Sequence, residues 1–179
     1  MPDPGSTVTT ARGRDLLVHL GLGSNLGDRW SHLGRAVDRL RRVDVALAVS
    51  PVYETSPIGG PEGQGPYLNC VVRLRVDGSA RDVLALVAEL ESMEGRVRTE
   101  RWGPRTLDVD VLLLGGIRVD EEDLVVPHPR MAERAFVLAP LEDLDPGLVP
   151  DGWRERLGGD GAVAAAVRRV GDLVLVEAP

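Results

Sequence analysis

Two aspartates, Asp108 and Asp110, stand one residue apart in the otherwise apolar run Leu107-Asp108-Val109-Asp110-Val111. On a β-strand, residues i and i+2 point to the same face and lie ~6.6 Å apart at a rise of ~3.3 Å per residue. Two neighbouring carboxylates repel each other unless a cation lies between them. Oxygen ligands on a rigid strand favour magnesium, which proteins usually hold through one or two carboxylates plus substrate phosphates. A solvated strand face would explain the alternation by itself equally well.

The segment directly upstream of the pair is rich in arginine. Four arginines occur within residues 96–105, namely Arg96, Arg98, Arg101 and Arg105. Arginine can bind one phosphate through two hydrogen bonds, while a magnesium ion neutralises other phosphate oxygens. Gly95 and Gly103 would allow this segment to move as a lid over phosphates. A solvated run of charge would account for the arginines but not for Trp102. The segment therefore predicts a magnesium-dependent enzyme that acts on a polyphosphate nucleotide, with its chemistry centred on residues 101–110.

Two further groups of residues could bind a ligand. His128 lies between Pro127 and Pro129, which hold it rigidly, and Arg134 and Phe136 follow. Tyr67 and Asn69 share one face of a predicted strand, where the aromatic ring could stack on a flat heterocycle and the amide could pair with ring nitrogens. Taken alone, the histidine is better explained as structural, and the Tyr67 and Asn69 pair as a half-exposed strand face.

The composition excludes several classes of protein. All 21 basic residues are arginine, so there is neither a Schiff-base lysine nor a P-loop lysine. The net charge of −7 and the aromatic content of 3% argue against a nucleic-acid binder, which needs a basic surface or a stacking platform. No run of apolar residues approaches the ~20 that a transmembrane helix needs, so no membrane partner is expected.

The 179 residues suit a single domain with its own core. Residues 1–13 are polar and rich in Pro, Gly and Thr, which predicts a flexible N-terminal tail followed by one domain over residues 14–179. The tail lacks the apolar region of a signal peptide, and the single Cys70 cannot form an internal disulfide. These features favour a cytoplasmic protein, and we expect it to be a monomer.

Hydrophobic periodicity and turn residues predict the order β-α-β-β-α-β, which is the split βαβ or ferredoxin-like plan of the α+β class, with a mostly antiparallel sheet. Ser79 is the expected N-cap of the second helix. A C-terminal hairpin and helices are expected beyond this core. The predicted strands cover residues 16–22, 45–55, 67–76 and 107–114, a hairpin partner covers 117–119, one or two helices fall within 131–144, an Ala/Val-rich stretch lies near 162–167, and a further strand covers 173–176.

Residues 21–27 superficially match the glycine-rich fingerprint of dinucleotide-binding folds. That fingerprint requires glycine at position 26, where this chain has leucine. The segments that follow also do not suit a parallel sheet, so NAD binding is rejected. Neither His19, in an apolar strand, nor His32, on a helix, is assigned a role.

With these segments identified, the chain resembles the 6-hydroxymethyl-7,8-dihydropterin pyrophosphokinases of folate biosynthesis. Four blocks carry the resemblance, which extends over about residues 16–146. They are Gly21-Leu-Gly-Ser-Asn-Leu-Gly27; Ser50-Pro-Val-Tyr-Glu-Thr-Ser-Pro57 with Tyr67-Leu-Asn69; Gly95-Arg-Val-Arg98 with Arg101-Trp-Gly-Pro-Arg-Thr-Leu-Asp-Val-Asp110; and Val126-Pro-His-Pro129 with Arg134 and Phe136.

The resemblance implies transfer of the pyrophosphoryl group of ATP, the co-substrate, to the hydroxymethyl oxygen of the pterin, with release of AMP. Two Mg²⁺ ions would be held by Asp108 and Asp110, and the transferring group would be steadied by Arg96 and Arg105. The implied ATP contacts are Glu91, Arg98, Trp102, Arg105, His128 and Arg134. The pterin would lie between Tyr67 and Phe136, with its other contacts from Gly23, Thr55, Ile58, Asn69 and Trp102. One departure is Asp123, which stands where some members have a basic residue.

Two alternatives remain open from the residues alone. The first is an ordinary kinase that transfers a single phosphoryl group and releases ADP. The second is a non-catalytic ferredoxin-like module that binds a small regulator or RNA, although such a module would have no need for the aspartate pair or the arginine-rich segment.

Overall fold

The structure, a computed structural model, describes residues 15–57, 61, 63–95 and 103–174. Its helices are α1 (Arg29–Arg41), α2 (Ala80–Met93), α3 (Ala135–Leu144), α4 (Trp153–Arg156) and α5 (Asp160–Ala166). Its strands are β1 (Leu16–Ser24), β2 (Ala48–Val49), β3 (Val52–Thr55), β4 (Tyr67–Val76), β5 (Asp108–Leu114), β6 (Val119–Glu121), β7 (Leu124–Val126) and β8 (Val167–Gly171). Short 3-10 turns cover Met131–Glu133 and Pro146–Leu148. The expected N-terminal tail over residues 1–13 lies outside the described residues.

The main sheet has the order β5-β1-β4-β3-β8, with β2 also paired to β4, and every neighbouring pair is antiparallel. The ferredoxin-like split βαβ plan is therefore confirmed. The strand expected over residues 45–55 is divided into β2 and β3 around Ser50 and Pro51, because proline has no N–H to donate to a ladder. The Ser50 hydroxyl takes over one ladder contact and accepts a hydrogen bond of 2.9 Å from the backbone N–H of Val71.

Helices α1 and α2 cover one face of the sheet. Each helix begins at a capping side chain, since Asp28 accepts from the N–H of Ser31 and Ser79 forms a reciprocal capping box with Asp82. The expected N-cap at Ser79 is thus confirmed. The buried helix residues include Leu33, Val37 and Leu40 of α1 and Val83, Leu86 and Leu90 of α2. They pack on the alternating apolar residues of β1, β4 and β5, which form the larger core.

Helix α3 covers part of the opposite face of the sheet. The half-exposed strand face considered for Tyr67 and Asn69 is therefore only partly correct, because the next residue on that face, Val71, is buried against Val137 and Leu141 of α3, together with Leu112 and Met131. Asn69 is buried on the same face. Beyond Val71, Gly21, Gly23 and the start of β5 form the end of this sheet face. That end borders a cavity.

The hairpin expected between β5 and residues 117–119 is wrong. After the turn at Gly115 and Gly116, the chain makes a single bridge from Leu114 to Ile117, and β6 then pairs with β7 in a separate two-stranded sheet. Arg81 of α2 forms ion pairs with Glu121 and Asp123 of this hairpin and so holds it against the helix. The sequence pattern could not show that long-range contact.

The strand expected over residues 173–176 does not include its first two residues. The Ala/Val-rich stretch forms α5, and the strand that follows is β8, which pairs with β3 at the edge of the main sheet. Residues 173 and 174 belong to no strand, and 175–176 lie outside the described residues. Arg168 and Arg169 occupy the middle of β8, and such charged residues are common on edge strands although they obscure the apolar alternation. No helix in the described parts of the chain is long and apolar enough to span a bilayer.

Candidate active site

A cavity of about 390 Å³ lies where the sheet face is not covered by α3. Its floor comes from β1, β4 and β5, and its wall comes from the chain between residues 130 and 137. The polar lining residues are Thr55, Ser56, Tyr67, Asn69, Arg105, Asp108, Asp110, Arg130, Glu133 and Arg134, and Gly21, Gly23, Phe136 and Val137 also contribute. Most of the site residues expected from the sequence are thereby brought to one place.

Asp108 and Asp110 line one end of this cavity from β5. They pair across the sheet with Gly23 and Gly21, so no side chain of β1 stands between the carboxylates and the cavity. Arg105 Nη1 lies 2.5 Å from Asp108 Oδ2, and Arg134 Nη1 lies 3.0 Å from Asp110 Oδ2. Each carboxylate is therefore balanced by one guanidinium group, as expected for two acids placed side by side.

This acidic end fits a magnesium ion whose remaining ligands come from water or substrate. Among the described residues, no group of three or more His, Cys, Asp or Glu side chains is placed to hold a metal. The ligands that the protein offers at this end are the carboxylate oxygens of Asp108 and Asp110. That ligand set suits magnesium, which keeps several water or phosphate ligands, better than it suits a structural metal site.

Arg105 is fixed at the cavity through its backbone. Its N–H donates to Oδ1 of Asn25 at 2.7 Å, and its carbonyl accepts from the N–H of Asn25 at 3.1 Å. Asn25 also donates through Nδ2 to Gln64 Oε1 at 3.1 Å. A single buried asparagine in the turn after β1 therefore ties together three loops that are distant in sequence. The sequence alone indicates no role for Asn25.

His128 lies beside the acidic end rather than in the cavity lining. Its Nε2 is 3.8 Å from Asp110 Oδ2, while its Nδ1 accepts a hydrogen bond of 3.1 Å from the N–H of Arg130. The neutral ring therefore carries its proton on Nε2, towards Asp110. Burial lowers the pKa of His128; Asp110 opposes this shift and Arg134 adds to it, so the net direction is downward.

The other end of the cavity presents two aromatic rings and an amide. Tyr67 comes from the first residue of β4, and Phe136 comes from the first turn of α3, with the guanidinium carbon of Arg134 5.5 Å from its ring centre. Asn69 donates through Nδ2 to Thr55 Oγ1 at 2.9 Å, and both side chains are buried. This bond fixes the orientation of the amide, so that Oδ1 is the atom able to accept from a ligand.

Glu91 differs in position from the other expected site residues. It is buried on α2, and its Oε1 accepts a hydrogen bond of 3.1 Å from the N–H of Val109. That N–H faces away from β1 on the edge strand β5, between the two aspartates. Glu91 therefore contacts the backbone that carries the acidic pair, and it is not among the described residues that line the cavity.

Four expected residues, Ile58, Arg96, Arg98 and Trp102, lie outside the described residues. The charged lining residues that were missed are Arg130 and Glu133, whose side chains lie 3.9 Å apart at the 3-10 turn before Arg134. The sequence signal that could have indicated these two residues is their position in the same short charged segment as His128 and Arg134.

Comparison with known proteins agrees with this arrangement. Residues 19–146 match the family model described as 7,8-dihydro-6-hydroxymethylpterin-pyrophosphokinase (HPPK). The chain belongs to the HPPK family. It is 44% identical over 138 residues to the 2-amino-4-hydroxy-6-hydroxymethyldihydropteridine pyrophosphokinase of Pseudomonas aeruginosa, covering 75% of this chain and 85% of that protein. It is 42% identical over 130 residues to the enzyme of the same name from Bacillus subtilis, covering 72% and 77%.

Solved structures show the same fold at lower sequence identity. A crystal structure of a Plasmodium falciparum HPPK-DHPS triple mutant superimposes with a TM-score of 0.60 at 13% identity, and the match covers 87% of this chain and 47% of that one. This likeness supports the ferredoxin-like fold, while the HPPK assignment depends on the family match and the closer sequences.

Proposed function

We propose that this protein transfers the pyrophosphoryl group of ATP to the hydroxymethyl oxygen of 6-hydroxymethyl-7,8-dihydropterin, giving the pterin diphosphate and AMP. One observation carries the proposal. The HPPK-family region folds so that an acidic, arginine-flanked end and an aromatic, amide-bearing end share one cavity. A nucleotide polyphosphate suits the first end and a flat, nitrogen-rich ring suits the second. The non-catalytic alternative is not favoured, since the homologues are named as pyrophosphokinases.

The charge balance of the cavity supports a magnesium–nucleotide complex at the acidic end. Among the described lining residues, three arginines face three carboxylates, so the polyanionic phosphates need additional positive charge. Two Mg²⁺ ions held by Asp108 and Asp110 would supply it and would stabilise the attacking and leaving oxygens. Arg105 lines the same end, where its guanidinium can bind phosphate oxygens through paired N–H groups. We assign the same task to Arg96, which lies outside the described residues.

The remaining nucleotide contacts are assigned by the family resemblance. Arg134 reaches both Asp110 and the ring of Phe136, which places its guanidinium between the acidic and aromatic ends. His128 presents its Nε2 proton towards the same carboxylate. The expected ATP contacts of Glu91, Arg98 and Trp102 stay predictions. No residue is assigned as a general base for the pterin hydroxyl.

At the other end, Tyr67 and Phe136 would enclose the pterin ring, and Asn69 would bond its edge. Stacking on two aromatic rings contributes both buried area and favourable ring–ring geometry. Because Thr55 holds the Asn69 amide in one orientation, its Oδ1 is preset to accept from a ring N–H. Gly23 permits close approach of the ring to β1. Ile58 and Trp102 complete the proposed pterin contacts from outside the described residues.

Product analysis tests the proposal directly. Purified protein is incubated with ATP, Mg²⁺ and 6-hydroxymethyl-7,8-dihydropterin, and the nucleotides and pterins are separated by chromatography. We expect AMP and the pterin diphosphate in equal amounts, and neither after chelation of Mg²⁺. Production of ADP without AMP would indicate an ordinary kinase. The absence of any ATP turnover, with pterin binding retained, would indicate a binding module.

The protein is expected to act as a monomer, to be cytoplasmic, and to fold as one domain over residues 14–179. Sedimentation at the concentrations used for the assay tests the first of these.

A further inference from the structure

Tyr53 of β3 joins the main sheet to α3 behind the aromatic end of the cavity. Its hydroxyl donates to Asp143 Oδ2 at 2.7 Å, across 90 residues of sequence. Neither residue is among the described residues that line the cavity. We name this contact the Tyr53–Asp143 bond.

On the sheet, Tyr53 is next to the residues that form the floor of the aromatic end. In the pairing of β3 with β4, Tyr53 lies opposite Asn69 and Thr55 lies opposite Tyr67. Tyr53 and Thr55 point to the same face of the sheet, ~6.6 Å apart along β3. The hydrogen bond from Asn69 to Thr55 lies on this face, so Tyr53 is adjacent to both of the groups that make it.

On α3, Asp143 lies on the same side of the helix as Phe136. The two residues are seven positions apart, which is about two turns of an α-helix and ~10 Å along its axis. Phe136 lines the cavity from the first turn of α3. The Tyr53–Asp143 bond therefore connects the strand and the helix that carry the floor and the wall of the aromatic end.

The ring of Tyr53 also packs against one face of α3. Tyr53 and Phe136 are both partly buried against a single apolar cluster. The buried members of that cluster are Leu138, Ala139, Trp153, Val163 and Val167. Because the two rings share these neighbours, a movement of α3 relative to β3 would displace both.

The hydroxyl of Tyr53 needs a partner at this place in the fold, because an unpaired hydroxyl is costly to bury. Burial raises the pKa of Tyr53 to about 12, and the bond to Asp143 adds to this shift. The phenol therefore stays protonated near neutral pH and donates to a carboxylate, which makes a stronger bond than a neutral acceptor would. Phenylalanine would fill the same apolar space, so packing alone does not explain the hydroxyl.

We propose that Tyr53, through its bond to Asp143, is a positioning residue that sets the distance of Phe136 from Tyr67 and Asn69. That distance is the width of the slot that receives a flat ring. This inference rests on the proposed function, because the pterin is the ring that the slot is proposed to hold. Tyr53 acts by holding α3 at one distance from the sheet.

The chain contains a matched control on the same helix and the same sheet. Arg73 of β4 donates to Oδ1 of Asp145, the C-cap residue of α3, at 2.6 Å. Arg73 lies four residues beyond Asn69, ~13 Å further along β4. Asp145 keeps His19 Nε2 as a partner at 2.7 Å when Arg73 is replaced. Loss of the Arg73 bond thus weakens contact between α3 and the sheet at the end away from the slot.

Equilibrium titration with 6-hydroxymethyl-7,8-dihydropterin tests the proposal, with and without Mg²⁺ and a non-hydrolysable ATP analogue. We expect Tyr53→Phe and Asp143→Ala each to raise the pterin dissociation constant by about fivefold, since the net contribution of one hydrogen bond limits the effect. Asp143→Asn keeps an oxygen acceptor for the hydroxyl and should bind the pterin as the wild type does. Arg73→Ala should also match the wild type.

Steady-state kinetics separates an effect on the slot from a general structural effect. We expect Tyr53→Phe to raise the pterin KM by about the same factor, with kcat and the ATP KM unchanged. A general loosening of the fold would change the ATP KM as well. Circular dichroism establishes which variants are folded. Asp143 is exposed, so Asp143→Ala leaves no cavity and decides the outcome if Tyr53→Phe is not folded.

The results separate the two proposals. Wild-type pterin affinity in folded Tyr53→Phe and Asp143→Ala, or an equal loss of affinity in Arg73→Ala, would overturn the positioning role. If the wild-type protein binds the pterin but makes no AMP, the proposed transfer fails, and the dissociation constants alone decide whether Tyr53 sets the slot. If the wild-type protein binds no pterin, both proposals fail.

Discussion

Replacement of Gly23 by alanine should weaken pterin binding through a single displaced atom. Gly23 of β1 lies opposite Asp108 of β5. A Cβ built on Gly23 would lie 3.1 Å from Oδ1 of Asn69. Ordinary contacts begin at about 3.4 Å, so the amide must move by a few tenths of an ångström. The backbone at Gly23 is not in the left-handed region, which means that alanine itself causes no conformational strain there.

The magnitude follows from the bonds that Asn69 makes. A shift of the amide disturbs its 2.9 Å bond to Thr55 and misaligns Oδ1 for the pterin edge. A typical hydrogen bond contributes about 1 kcal/mol net. The bond to Thr55 is also made in the free protein, so only loss of the bond to the pterin weakens binding, by about 1 kcal/mol or about fivefold in the pterin dissociation constant.

Gly21→Ala provides the matched control for this variant. Gly21 lies two residues earlier on the same face of β1, but a Cβ there would meet the Leu112 side chain at 3.5 Å, an ordinary contact. Titration of each variant with the pterin, together with KM values for both substrates, gives the comparison. We expect only Gly23→Ala to raise the pterin KM, with the ATP KM unchanged. Equal effects of the two substitutions, or wild-type pterin affinity in Gly23→Ala, would refute this account of the pocket.

Three other outcomes are expected. Asp110→Ala should abolish AMP formation while circular dichroism shows an intact fold; near-wild-type turnover would contradict the metal assignment. Because the folded-state pKa of Glu94 is lowered, its stabilisation is present above the unfolded value of about 4.3 and is lost as pH falls through the folded pKa. Urea titrations should therefore show the wild type and Glu94→Gln converging in acid, and a constant difference would exclude this linkage. Cys70 is fully buried, which raises the pKa of its thiol to about 12; a thiol reagent at pH 8 should label it only after denaturation, and rapid native labelling would contradict its burial.

Local pattern was a good guide to the elements that depend on near neighbours. The strands β1, β4 and β5 and the N-cap at Ser79 were all predicted, because periodicity and capping involve residues a few positions apart. The hairpin after β5 was not, since its place depends on Arg81 of a helix some forty residues earlier. The strand β8 was missed for a similar reason, as its pairing with β3 crosses more than a hundred residues.

The candidate site shows the same division. The alternation at Asp108 and Asp110 was sufficient to place both carboxylates on one face, because the geometry of a strand leaves no other arrangement. The family blocks identified Tyr67, Asn69 and Phe136 as a group. Neither source indicated that Asn25 would hold Arg105, since an asparagine in a glycine-rich turn has many possible partners.

The spacing of residues by itself therefore determined the acidic pair, the order of the core elements and, with the motif blocks, the family. The tertiary structure decided which charges meet. Arg134 reaches Asp110 across 24 residues, and Glu94 meets Arg35 across 59. Within its own segment of sequence, each of these arginines and acids resembles an ordinary solvated surface residue. Burial and partner choice arise only when the helices pack on the sheet, because the free energy of a charge depends on its surroundings in space and not on its neighbours along the chain.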